Sequence, residues 1–252
     1  MKNTLRQVLV ILAVLAVITV NALANIIPFN GQTTGEISNR LSNYFVPAGY
    51  VFSIWGVIYL GLLAYAIFQA LPAQAENPRL KAIAGWFLLS SVANIAWLLL
   101  WHYNQFPPTV LLMLVLLASL ILVYLALHRP AARYSRAELW MVRVPFSIYL
   151  GWITVATIAN ISATLTSVKW TGFGIPAVAW FAVVLVAAIL IAALMTTFRR
   201  DVAYLAVLVW AFVGIAVRPT DSSLVVTAAW LAAGVAAIFI AYSLYKKGRS
   251  AA

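Results

Sequence analysis

Three short stretches place flat aromatic and amide side chains at helical spacing. Phe52, Trp55 and Tyr59 stand at i, i+3 and i+7, and Asn94, Trp97 and Trp101 repeat that pattern. Tyr149, Trp152, Ala156 and Asn160 carry it over three turns. A carboxamide in an apolar segment needs a hydrogen-bond partner, so Asn94 and Asn160 are expected to face a helix-bundle interior, with their stripe-mates beside them. The chemistry this implies is binding: stacking plus a few directed hydrogen bonds suits a flat or polycyclic apolar ligand. The same spacing also serves simple core packing, and spacing alone does not separate the two.

Reaction chemistry has little to work with. The five carboxylates, Glu36, Glu76, Glu138, Asp201 and Asp221, fall in expected loops or at the ends of apolar segments. Proton-coupled transport usually draws on an intramembrane carboxylate or histidine, which the pattern does not offer. His102 and His128 lie at opposite ends of their segments, too far apart to share a metal, and His102 reads as a solvated interfacial residue. Retinal attachment would need a mid-helix lysine, whereas Lys169 falls in a loop and Lys246 at a terminus. There is no cysteine, so disulfides and thiolate chemistry are excluded. No enzyme activity, metal or cofactor is expected.

The elements that must position these residues follow from charge. In a chain of 252 residues, 65% hydrophobic and only 8% charged, the basic residues separate long apolar windows. Eight spans of about 17–25 residues result, each long enough to cross hydrocarbon. They are drawn at 6–27, 48–71, 80–103, 108–128, 140–165, 174–197, 202–218 and 222–245. Tyr103–Pro108 divides the longest window in two. Runs rich in Ala, Leu and Val suit helices better than a barrel's alternation, so the expected fold is an all-α polytopic membrane helix bundle filling 1–252 as one integral membrane domain.

With the N-terminus inside, 13 of the 16 Lys and Arg residues fall on the inner side, leaving only Arg40, Lys169 and Arg218 outside. Both termini are therefore expected to be cytoplasmic, in a bacterial inner (plasma) membrane. The net charge of +11 has the same origin, and it points to lipid headgroups rather than nucleic acid. Residues 1–24 also fit a secretory signal, with Ala22-Leu23-Ala24 as a cleavage site; retention is the favoured reading. Ala228, Ala229, Ala232, Ala233, Gly234, Ala236 and Ala237 give the last span a small-residue face, for packing within the chain or for a homodimer seam. Arg218 is expected to pair with Asp221 or with headgroups. Trp101, Trp140 and Trp170 read as an interfacial belt, with Trp180, Trp210 and Trp230 deeper.

The run Pro47-Ala48-Gly49-Tyr50-Val51-Phe52-Ser53-Ile54-Trp55-Gly56-Val57-Ile58-Tyr59 resembles the proline followed by F-x-x-W-x-x-x-Y at the second helix of the TspO/MBR family, the tryptophan-rich sensory protein and peripheral benzodiazepine receptor (translocator protein) family. Asn94-Ile95-Ala96-Trp97 resembles its third-helix N-x-x-W, and Pro145–Asn160 its fifth-helix pattern. These motifs cover about residues 5–165, while 174–245 adds three spans without counterpart in that five-helix pattern. The resemblance implies a ligand-binding bundle, often dimeric, with a pocket for tetrapyrroles, sterols or synthetic aromatic molecules. Phe52, Trp55, Tyr59, Asn94, Trp97, Tyr149, Trp152, Ala156 and Asn160 would line or support it, and Pro28–Pro47 would form its lid. The function so implied is that of a sensor, carrier or scavenger of a hydrophobic aromatic ligand. The alternatives are a secondary transporter of that ligand and an interaction scaffold without one.

Overall fold

A computed structural model describes residues 3–41, 43–129 and 134–251. Lys2 and Arg133, which contribute to the charge bias, and Ser42 of the expected lid lie outside them. Among the described residues the chain is helical without strands. The helices are α1 (Asn3–Ile26), α2 (Thr34–Arg40), α3 (Ile54–Ala70), α4 (Pro78–His102) and α5 (Phe106–Leu127). Then follow α6 (Arg136–Glu138), α7 (Val144–Ser167), α8 (Ala177–Phe198), α9 (Val202–Ala216) and α10 (Ser223–Ala251). A 3-10 turn, Gly49–Ser53, leads into α3, and a π-helical turn, Leu139–Arg143, joins α6 to α7.

Among the described residues, seven helical segments are long and apolar enough to span a membrane. The seventh expected span, 202–218, forms as α9, only 15 residues long. At about 1.5 Å per residue it reaches roughly 22 Å, short of the ~30 Å of hydrocarbon. Arg218 and Pro219 mark the end of its apolar run, but the helix stops earlier, at Ala216. Large apolar side chains such as Leu60, Val92, Leu111, Leu190 and Leu231 are exposed on the spans. Such a surface needs hydrocarbon around it, and the protein is an all-α polytopic membrane bundle.

Local chemistry explains where the helices begin and end. Asn77 caps α4 by accepting from the N–H groups of Arg79 and Leu80, with Pro78 behind it. Asp201 accepts from the Tyr204 N–H to start α9. Between α4 and α5, Asn104 adopts φ 59° and the Gln105 N–H returns to the Leu100 carbonyl at 2.9 Å. That left-handed C-terminal cap is what divides the long apolar window. The π-helical turn precedes Pro145, whose ring lacks the N–H needed to continue an α-helical ladder there.

The chain divides into two compact units. The first comprises Met1–Ile37 and Ile54–Ile153. In it α4 packs against α5 and α1, and α1 also against α3. A Cβ built on Gly61 would lie 2.8 Å from the Pro145 Cβ, so the missing side chain permits close approach of α3 and α7. Tyr65, Phe87 and Phe146 meet edge to face, with centroids 5.0–5.8 Å apart. At one end of this unit the Arg79 guanidinium forks onto Glu138, with Nε–Oε1 at 2.5 Å and Nη2–Oε2 at 2.7 Å. Glu138 is thus a buried, paired carboxylate rather than a loop residue.

The second unit comprises Ser38–Ser53 and Thr154–Ala252. Here α10 packs on α9 and α8, and Ala229, Ala232, Ala233 and Ala236 are buried, so much of the small-residue face serves packing within the chain. The segment before α3 is stitched to α9: the Ala48 N–H donates to the Gly214 carbonyl at 2.9 Å, and Trp210 Nε1 to the Val51 carbonyl at 3.1 Å. Arg218 has backbone partners that its local sequence does not suggest. Its Nη1 donates to the carbonyls of Asn43 and Val46 at 3.2 and 2.9 Å, tying down the same segment.

Gly214 makes this stitching possible, because a Cβ there would sit 2.1 Å from Val51 Cγ2. Gly214→Ala is expected to cost about 1–3 kcal/mol through overpacking. Gly234→Ala, whose Cβ would meet nothing within 4 Å, should be neutral or slightly stabilising. Thermal unfolding in detergent checks both; equal Tm values for the two variants would contradict the close approach.

Candidate functional site

The site in the first unit is built outward from one amide. Asn94, fully buried on α4, accepts from Asn21 Nδ2 of α1 at 2.9 Å and donates to the Tyr149 hydroxyl of α7 at 3.3 Å. Asn21 Nδ2 also donates to the Val17 carbonyl at 2.8 Å, and Asn25 Nδ2 to the Asn21 carbonyl at 2.9 Å. Three helices are thereby tied together where water is scarce, and each polar group named has a partner.

Around this node stand the aromatic rings. Trp55 stacks on Tyr59 at 5.6 Å and meets Tyr149 and Trp152 edge to face at 6.0 and 6.3 Å. Trp97, one turn beyond Asn94, stacks on Trp101 at 5.6 Å. Trp97 and Trp152 are 7% and 3% exposed, while Trp55 and Tyr59 are half-buried. The indole N–H of Trp97 is buried and has no hydrogen-bond partner. An idle buried donor costs free energy, so this one stands out against the satisfied amides beside it.

Of the nine residues singled out by sequence, Trp55, Tyr59, Asn94, Trp97, Tyr149 and Trp152 are in this unit, and aromatic contacts and hydrogen bonds link all but Trp97 into one network. Phe52, Ala156 and Asn160 belong to the second unit. There Phe52 lies half-buried in the 3-10 turn, while Asn160 is buried and Ala156 half-buried on α7. Asn21 was missed by the stripe analysis. Its signal is present: an amide four residues before Asn25 inside an apolar run, which is one helical face.

The other tryptophans differ in burial and partners. Trp101 is buried and meets Phe106 edge to face at 5.3 Å, so it is core rather than belt. Trp140, Trp210 and Trp230 are exposed. Trp180 Nε1 donates to the Gly172 carbonyl at 3.0 Å and closes a local turn.

Part of the expected lid is anchored within the first unit. His102 is fully buried, against the expectation of a solvated interfacial residue: its Nε2 lies 3.0 Å from Thr34 Oγ1 and its Nδ1 3.3 Å from the Phe29 carbonyl. Asn30 Nδ2 donates to the His102 carbonyl at 3.1 Å, with Asn30 itself at φ 54°. Thr33 and Glu36 form a reciprocal capping box at the start of α2. The Thr33 N–H and hydroxyl hold the Glu36 carboxyl below its ordinary value.

Residues 7–242 match the family described as TSPO-like protein. The chain belongs to the TSPO-like family. The match runs past residue 165, where the sequence motifs end, and so takes in α8, α9 and most of α10. No match is found among curated proteins or among solved structures. Family membership points in general terms to a ligand-binding protein of the membrane, and the exposed apolar helices of this TSPO-like chain contact the lipid bilayer.

Asn21→Ala and Asn94→Ala are each expected to lower stability by about 1–3 kcal/mol, because each leaves a buried polar group idle. The double variant should cost clearly less than the sum, since both remove the same bond. Chemical unfolding of the four proteins measures the coupling, and strict additivity would contradict a shared network.

Proposed function

We propose that this protein binds a hydrophobic aromatic ligand of the tetrapyrrole or sterol-like class within the membrane, as a sensor, carrier or scavenger. The observation that carries this reading is the idle indole N–H of Trp97 beside an otherwise satisfied amide network. A ligand acceptor would take up that donor. The faces of Trp55, Tyr59 and Trp152 would supply stacking, and Asn94 and Tyr149 would hold the helices that carry them. Phe52, Ala156 and Asn160 enter this reading through the family resemblance, as does the lid role of Pro28–Pro47. The role is binding rather than catalysis. The charge distribution supports both termini on the cytoplasmic side of a bacterial inner membrane.

Tryptophan quenching by protoporphyrin IX, followed for the wild type and Trp97→Phe, tests this. The variant keeps an aromatic ring, smaller than the indole, and removes the N–H. Saturable binding is expected, weakened by roughly five-fold in Trp97→Phe for one lost hydrogen bond of about 1 kcal/mol. In the ligand-free variant, loss of the unsatisfied donor works against the cavity left by the smaller ring, so binding is compared with both proteins shown to be folded by thermal unfolding. Absence of saturable binding would instead favour a packed core, the property of an interaction scaffold. Uptake into proteoliposomes driven by a ligand gradient would mark a transporter.

A further inference from the structure

A second idle group lies in the first unit, at the end formed by the first turns of α1, the last turn of α3 and the Pro72–Gln74 turn. Arg6 is 2% exposed. Its Nη2 donates to the Gln74 carbonyl at 3.1 Å, while Nε and Nη1 are buried and have no partner. The acid near it is engaged elsewhere: exposed Glu76 accepts from Asn3 Nδ2 through one oxygen and from Lys81 Nζ at 2.5 Å through the other. The neighbouring amides bond each other's backbone, Gln7 Nε2 to the Gln69 carbonyl at 2.9 Å and Gln69 Nε2 to the Gln7 carbonyl at 3.0 Å. Gln69 Oε1 is buried without a partner as well.

A guanidinium taken out of water and given one neutral carbonyl is poorly compensated, because one hydrogen bond does not replace the ion's hydration. The planar group still offers N–H donors on both sides of its fork, a geometry that fits the oxygens of a phosphate. We propose that Arg6 holds a phosphate oxyanion at this end of the bundle, supplied either as the phosphodiester of a bilayer lipid or as free phosphate. This site shares no residue with the aromatic cluster and does not depend on it.

The test uses the full chain, purified in an uncharged detergent without phosphate. Tm is followed against inorganic phosphate, against short-chain phosphatidylglycerol, and against chloride at matched ionic strength. A saturable rise with at least one of the two phosphate probes, absent with chloride, is expected for the wild type, as binding to the folded state requires. A rise with inorganic phosphate identifies the free anion, and a rise with the lipid alone identifies the headgroup. Arg6→Gln should need at least tenfold more of the same probe. Without any anion it should be no less stable than the wild type, since it removes a poorly compensated charge. Arg6→Lys, which keeps the charge without the fork, should fall between the two. The proposal is overturned if neither probe raises Tm beyond chloride, or if Arg6→Gln responds as the wild type does. Binding that appears only after Glu76→Gln would make that carboxylate the counter-ion of Arg6, with the same consequence.

Discussion

Hydrocarbon offers a buried amide no water, and that constraint organises the first unit. Asn94 can remain on a membrane helix only if other helices satisfy it, and Asn21 and Tyr149 do so. The bonds fix the rotation of α1, α4 and α7 about their axes. Once Asn94 points inward, Trp97 must follow it one turn later, and Trp152 follows Tyr149 on α7. The aromatic cluster is thus positioned by polar bonds, since apolar packing against lipid-like neighbours supplies little directional preference.

The second unit solves a different problem. The segment before α3 is irregular, and its backbone groups need partners at the edge of hydrocarbon. α9 supplies them through the Gly214 carbonyl, the Trp210 indole and the Arg218 guanidinium. Gly214 has no side chain to hold Val51 away, so the two backbones approach. The same helix is too short to be an ordinary span, and its last turn runs directly into the Arg218 anchor.

Most of the fold is legible in the sequence because charge and hydropathy act locally. The basic residues and the Asn104 cap mark most helix ends closely, but α3 begins only at Ile54, after the 3-10 turn, and α10 runs past its drawn end at 245 to Ala251. α9 starts where the sequence draws it and stops at Ala216, just short of the drawn end at 218. The aromatic stripes on α3, α4 and α7 follow from period alone. Long-range partners do not: nothing in the local sequence joins Asn21 to Asn94, His102 to Thr34, or Arg218 to Asn43. Arg218 and His102 look like headgroup residues in sequence because their partners are backbone carbonyls and a loop hydroxyl. Glu138 looks like a loop acid because its partner, Arg79, stands 59 residues away. That the Trp97 indole N–H lacks a hydrogen-bond partner is equally invisible in the sequence.

The occupancy of the Asn94–Trp97 neighbourhood by ligand is best measured by photo-crosslinking the intact protein in lipid nanodiscs with a diazirine-bearing porphyrin, followed by mapping of the labelled peptides. Labelling concentrated on Trp55–Tyr59, Asn94–Trp101 and Tyr149–Trp152, and competed away by unmodified porphyrin, is the predicted result. Uniform labelling of the exposed apolar faces around Leu60, Val92, Trp140 and Leu231, without competition, would contradict a binding site inside the bundle.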